Sequence, residues 1–161
     1  MSLFLRFLHW VAFSIWLGGQ LTFVVWAPLS REAALETWAH VWRTLAKLQR
    51  WVVAPAAVVA TLTGIVLTMQ FATRERADAG ATWLVGMQAT GVLAAIVALA
   101  LVAPLANRMG WVAEQSLADG TKHPAAERVA SRLGLAGWVT LLFILAAMWF
   151  GAMAPAAGGG Q

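Results

Sequence analysis

The stretch LFLRFLHWVAFSIWLGGQLTFVVWA, residues 3–27, decides the fold, because it carries a single charged side chain, Arg6, over a length of about 25 residues. A helix needs roughly 20 apolar residues to cross the hydrocarbon of a bilayer. The run also exceeds the apolar part of a removable leader, so a retained membrane helix is expected.

Working outward, three further apolar runs have the same character, at residues 51–71, 82–105 and 133–154. Lipid offers no partner for a backbone N–H or C=O, so each run is expected to satisfy its own hydrogen bonds as a helix. The expected fold class is therefore all-α: an integral membrane four-helix bundle forming one domain over residues 1–155, followed by a flexible Gly-rich tail at 156–161. Composition agrees. Of 161 residues, 61% are hydrophobic and 11% charged, whereas soluble domains run at about half and a quarter.

Pro28, Pro104 and Pro155 stand at or near span ends, where a missing N–H costs least. Pro55 falls in the first turns of the second span, where it is either tolerated or produces a kink. Between spans 1 and 2, Trp38, Val41, Trp42, Leu45 and Leu48 recur at helical spacing, while Glu36, His40, Arg43, Lys47 and Arg50 take another face. Residues 31–50 therefore read as an amphipathic helix, lying in the interface or extending the second span. Residues 74–80 read as a polar turn. Beyond Pro104 a helical extension is expected until Asp119-Gly120 and His123-Pro124 break it.

The net charge of +4 lies in short segments between apolar runs, the distribution of headgroup-facing loops and not of a nucleic-acid surface. The two long loops carry Arg31, Arg43, Lys47, Arg50, Arg108, Lys122, Arg128 and Arg132, against Arg6, Arg74 and Arg76 on the other side. This asymmetry puts both loops in the cytoplasm and both termini outside, in the periplasm of a bacterial inner membrane. Tryptophans fall at the span ends: Trp10, Trp83 and Trp149 on the outer side, Trp26, Trp51, Trp111 and Trp138 on the inner.

The chain has no cysteine, so disulfides, iron–sulfur clusters and thiolate chemistry are excluded. All seven carboxylates lie outside the four runs, which argues against a carboxylate proton relay or a cation pump. Inside the first run, Arg6, His9, Phe13, Trp16 and Gln20 share one face. His9 lies about 9 Å below Leu3, in the outer half of the bilayer. The topology brings Met69, Met87, Gln88, Met148 and Met153 to that same half. Imidazole with thioether is a ligand set for haem iron or for Cu(I), and Arg6 would pair with a haem propionate. Packing is the commoner role for any single methionine, and snorkelling to headgroups is the readier account of Arg6. Gly18-Gly19 reads as a site of close helix approach or as room for a flat cofactor.

Leu8-His9-Trp10 followed by Trp16-Leu17-Gly18-Gly19 resembles the opening of the copper-resistance protein D superfamily, which includes uncharacterised four-helix bacterial membrane proteins and the HemJ-type protoporphyrinogen oxidase. Arg50-Trp51, Pro55-Ala56 and Thr63-Gly64 are similar to the uncharacterised branch, as are Trp83-Leu84 and Pro104 at the ends of the third span. The resemblance implies a four-helix bundle in the bacterial inner membrane, with His9 matching a first-span haem b ligand. It departs from the HemJ-type oxidase at Gly86-Met87-Gln88, where that enzyme has a lysine, so protoporphyrinogen oxidation is not expected.

Three functions follow as expectations. The first is haem b binding for electron transfer or haem-linked redox chemistry, with His9 as a ligand and Met87 or Met148 as candidates for the second. The second is copper transport or chaperoning by His9, Met69, Met87, Met148 and Met153. The third is a cofactor-free accessory subunit of a larger membrane complex, or a homo-oligomer.

Overall fold

Each apolar run buries one stripe of residues spaced three and four apart, and each forms a helix that overruns the expected span wherever its polar flank also finds a partner. The computed structural model describes residues 3–74, the side chains of 71–74 excepted, and 82–153. The polar turn at 74–80, Pro155 and the tail at 156–161 lie, wholly or at their side chains, outside the described residues, as do Arg76 and the side chain of Arg74 in the charge count. The elements are α1 (Leu3–Leu29), α2 (Leu35–Leu48), α3 (Ala54–Arg74), α4 (Thr82–Val97), α5 (Ala103–Ala118) and α6 (Ala126–Ala152), with no strand among the described residues. Short π-helical turns at Gln49–Val53 and Ala98–Val102 join α2 to α3 and α4 to α5.

Among the described residues there are therefore four helices long and apolar enough to cross a membrane: Leu3–Leu29, Leu35–Gln70, Thr82–Ala118 and Ala126–Ala152. The middle two have 36 and 37 residues, about 55 Å at 1.5 Å per residue, against a hydrocarbon thickness of about 30 Å. Their surplus projects from one end as the α2/α5 pair. The amphipathic segment is thus an extension of the second span. Its apolar stripe, Trp38, Trp42 and Leu45, is buried with Ala106, Met109, Val112 and Ala113 of α5, and Phe23, Val129 and Leu133 complete the cluster. Gly110 leaves α5 no Cβ to hold it off Ala46. An ion pair ties the two extensions, Arg43 Nε to Glu114 at 3.3 Å. Beyond them, Lys122 donates to the Arg31 carbonyl at 2.8 Å, and Gly120, at φ 68°, turns the chain back toward α6.

Within the span region, α1 packs most extensively on α3 and α4 on α6, and α6 also contacts α1. The seam between these pairs is rich in small residues: Ala12, Ala56, Ala57, Ala60, Ala94, Ala95 and Ala98, filled by Trp16, Val53 and Ile144. Small side chains let helices approach where lipid supplies no hydrophobic drive. Gly19 is the closest such approach on α1, since a Cβ there would run into Val53, whereas Gly18 faces open space.

Candidate functional site

His9 stands on the buried side of α1, with Ala12, Trp16 and Gln20 continuing its stripe. Both of its hydrogen bonds reach across to α3 through Nδ1: to the Ala60 carbonyl at 2.9 Å and to Thr63 Oγ1 at 3.0 Å. A carbonyl only accepts, so Nδ1 carries the proton and Nε2 of the neutral ring keeps a lone pair. Thr63 spends its own hydroxyl proton on the Val59 carbonyl at 2.6 Å, or on Ala60 at 3.1 Å, and accepts from the ring. Gly64 completes the seat, because a Cβ there would lie 3.1 Å from His9 Cε1. Phe13 stacks on the ring with centroids 6.2 Å apart, and Trp10 meets it edge-on at 6.5 Å. A histidine held by Nδ1 against a backbone carbonyl, with Nε2 unprotonated, is oriented as a metal ligand is.

Around the level of His9 the buried residues are mostly small: Ala12, Ala60, Thr63 and Ala147, with Leu84. On α4 the buried stripe runs through Leu84, Ala94 and Ala95 and continues to Ala98 in the π turn. Gly91 falls at its centre by spacing, yet a Cβ at Gly91 would meet nothing within 4 Å. Gln88, half-buried, lies one turn along the same stripe. The bond from Gln20 Nε2 to the Gly137 carbonyl fixes the register of antiparallel α1 and α6. Eleven residues further along each helix, His9 and Met148 reach one level. The contact of Gly86 with Phe150 places Gln88 and Gly91 within about one turn of that level.

The methionines divide. Met69, Met148 and Met153 are exposed at 64%, 44% and 57%, on surface that lipid would cover. Met87 is half-buried at the seam of α4 and α6, where its sulfur lies 3.4 Å from a Cβ built at Gly151. The hydrogen bonds and ring contacts of His9 include no methionine, and Arg6 is exposed near the helix start. The structure thus brings His9 together with Thr63-Gly64, a pair whose sequence signal was a short motif without an assigned role. It brings Met87 and Met148 to about the level of His9, leaves Met69 and Met153 more than one turn further along their helices, and does not gather them into one cage. Among the described residues no three His, Asp or Glu side chains converge on a common point.

Two features escaped the sequence. One is Gln49, fully buried at the start of the first π turn, whose amide has no hydrogen-bond partner among the described groups; the Trp16 and Trp42 indole N–H groups are likewise unpartnered. The other is a cluster of arginines where α5 and α6 face each other.

Residues 3–155 match the model of a family described as "Predicted integral membrane protein (DUF2269)", and the chain belongs to that family. No curated protein and no solved structure matches the chain.

Proposed function

We propose that this member of the DUF2269 family binds haem b through His9 Nε2 and serves electron transfer or haem-linked redox chemistry within the membrane. The observation that carries the reading is the seat of His9. Nδ1 is tied to the Ala60 carbonyl and Thr63, and the ring is aimed by Gly64. On α4, within about one turn of the level of His9, a Cβ at Gly91 would meet nothing within 4 Å. The donor set fits haem iron: one neutral imidazole in a low-dielectric setting, with Met87 and Gln88 on the facing helix as candidates for a second ligand. Arg6, on the same helix, is the candidate partner for a propionate. Bound haem would supply one-electron exchange, and the chain's own residues would set ring orientation and exclude water. The dispersal of Met69, Met148 and Met153 over the exposed surface favours this reading over a methionine-based copper site.

The same reading places the α2/α5 end in the cytoplasm and both termini in the periplasm of a bacterial inner membrane. All eight Lys and Arg residues of the two long loops lie at that end. Because the chain lacks cysteine, a single Asp119→Cys substitution reports orientation directly: an impermeant maleimide should leave it unlabelled in intact cells. Labelling from outside would reverse the topology.

The deciding experiment is a reduced-minus-oxidised absorption spectrum of the protein purified from native membranes, beside His9→Ala. Soret and α bands lost in the variant are expected. A featureless spectrum after haem supplementation would overturn the proposal.

A further inference from the structure

The α2/α5 end carries a cavity of about 100 Å³ lined by Leu105, Arg108, Ala125, Arg128, Val129 and Arg132. Three guanidinium-bearing side chains therefore surround one small space, and no carboxylate lines it. The nearest structural ion pair of this end, Arg43 with Glu114, is made elsewhere. Arg128 and Arg132 are one turn apart on α6, a spacing at which like charges repel. Arg128 also lies in the first turn of that helix, beside Glu127, where the backbone dipole is positive and a cation is disfavoured. Ala125, which lines the cavity, is the N-cap of α6 and offers no side-chain acceptor to the first-turn N–H groups. Both features are unfavourable for the protein alone, and a bound anion relieves both at once.

The place of the cavity specifies the anion. From the Gln20–Gly137 contact, six residues along α1 and α6 reach Trp26 and Ser131, so Arg132 lies at the level of Trp26. Trp26, Trp51 and Trp138 are exposed at this end, as interfacial tryptophans are. The arginines thus sit at headgroup depth, beyond the apolar part of the spans, while Leu105 and Val129 give the cavity an apolar floor. We propose that this cavity is a binding site for the phosphodiester headgroup of an anionic phospholipid, with Arg108, Arg128 and Arg132 as its ligands. Basic pockets between helices at the inner membrane face take such headgroups. The guanidinium forks bind phosphate oxygens in pairs.

The test uses the full chain in detergent, titrated with phosphatidylglycerol, phosphatidylcholine or inorganic phosphate while Tm is followed, with bound lipid identified by native mass spectrometry. Phosphatidylglycerol is expected to raise Tm and to remain bound, and phosphatidylcholine and inorganic phosphate to do neither. The variant Arg108→Gln/Arg128→Gln/Arg132→Gln should bind phosphatidylglycerol about a hundredfold more weakly, since each basic residue contributes roughly fivefold. A control of equal charge change, Arg31→Gln/Lys47→Gln/Arg50→Gln, should retain the site. Equal stabilisation by the two lipids would overturn the proposal, as would equal loss in both variants. An equal effect of inorganic phosphate would make this a free-anion site and refute the lipid. If the triple variant does not fold, Arg132→Gln alone and the comparison of lipids on the unaltered chain decide.

Discussion

Pro55 and Pro104 occupy equivalent positions in the two long helices, each two residues beyond the last residue of a π turn, Val53 and Val102. A proline within a helix lacks the N–H for the carbonyl four residues back and its ring clashes with that carbonyl. Here the residue before each proline bonds five residues back, Ala54 to the Gln49 carbonyl and Ala103 to the Ala98 carbonyl. The wide turn carries the ladder past the proline, so neither helix ends there. It also keeps a stripe facing inward across a change of partner. Leu45, Gln49, Val53 and Ala57 are all buried at successive spacings of four, which a 3.6-residue helix would rotate out of contact.

Pro55→Ala restores a donor and lets a regular α-turn compete with the π turn. Closing the turn would rotate α2 by about 100° against α3, moving Trp38 and Trp42 off α5. The expected result is a lower Tm in detergent and faster proteolysis between α2 and α3, with Pro104→Ala acting likewise on α5. An unchanged Tm in both would show that the buried stripe alone dictates the turns.

The four spans were legible because each is a long apolar run with at most one charged side chain, Arg6 in the first, and lipid leaves such a run one backbone solution. The amphipathic stripe of residues 31–50 was legible too, but whether it lay flat or projected depended on a partner far away in sequence, α5. By local propensity Pro104 marks the end of a span and Pro55 is either tolerated in the first turns of one or kinks it. Nothing in the residues before Pro55 or Pro104 signals that a π turn will carry the chain through. For the candidate site, sequence singled out His9 and the inward face it shares with Trp16 and Gln20. Its acceptors on α3 and the open face at Gly91 arise from helix register, which periodicity alone does not set.

Gly18 and Gly19 form a matched pair for testing α1 packing. A Cβ at Gly19 meets the Val53 side chain, whereas Gly18 faces open space. Gly19→Ala is expected to destabilise by about 1–3 kcal/mol through overpacking. Gly18→Ala should be neutral or stabilise by up to about 1 kcal/mol, by removing a helical glycine. Unfolding curves in mixed micelles measure both, and equal effects would contradict this register of α1 on the first π turn.

Gln49 gives a prediction of opposite sign. Its side chain is fully buried and neither amide atom has a partner among the described groups. An unsatisfied buried polar group costs about 1–3 kcal/mol, so Gln49→Met, similar in length and apolar, is expected to leave stability unchanged or raise it. Gln20→Met differs, because it removes the 3.3 Å bond to Gly137 together with an unpartnered Oε1, and the two offset to a change within about 1 kcal/mol. A marked loss in Gln49→Met would mean that the amide holds a bound water or ion beside the π turn.

The seat of His9 can be separated from its mere presence. Gly64 lies under the ring, and a Cβ added to it would stand 3.1 Å from His9 Cε1, so Gly64→Val must push the imidazole away from Ala60 and Thr63. Haem absorbance should then fall as far as in His9→Ala, while circular dichroism stays helical. Thr63→Val is subtler. It keeps the shape and the 2.9 Å bond to the Ala60 carbonyl but removes the second acceptor at 3.0 Å. Loss of an outer partner of a ligating histidine typically weakens binding about 10–100-fold, so this variant should retain the α band at high haem and lose it on dilution. Full absorbance in Gly64→Val would mean that the orientation of the ring by α3 has no part in binding. Absorbance lost from His9→Ala alone, with both α3 variants unaffected, would move the ligand's support elsewhere in the bundle.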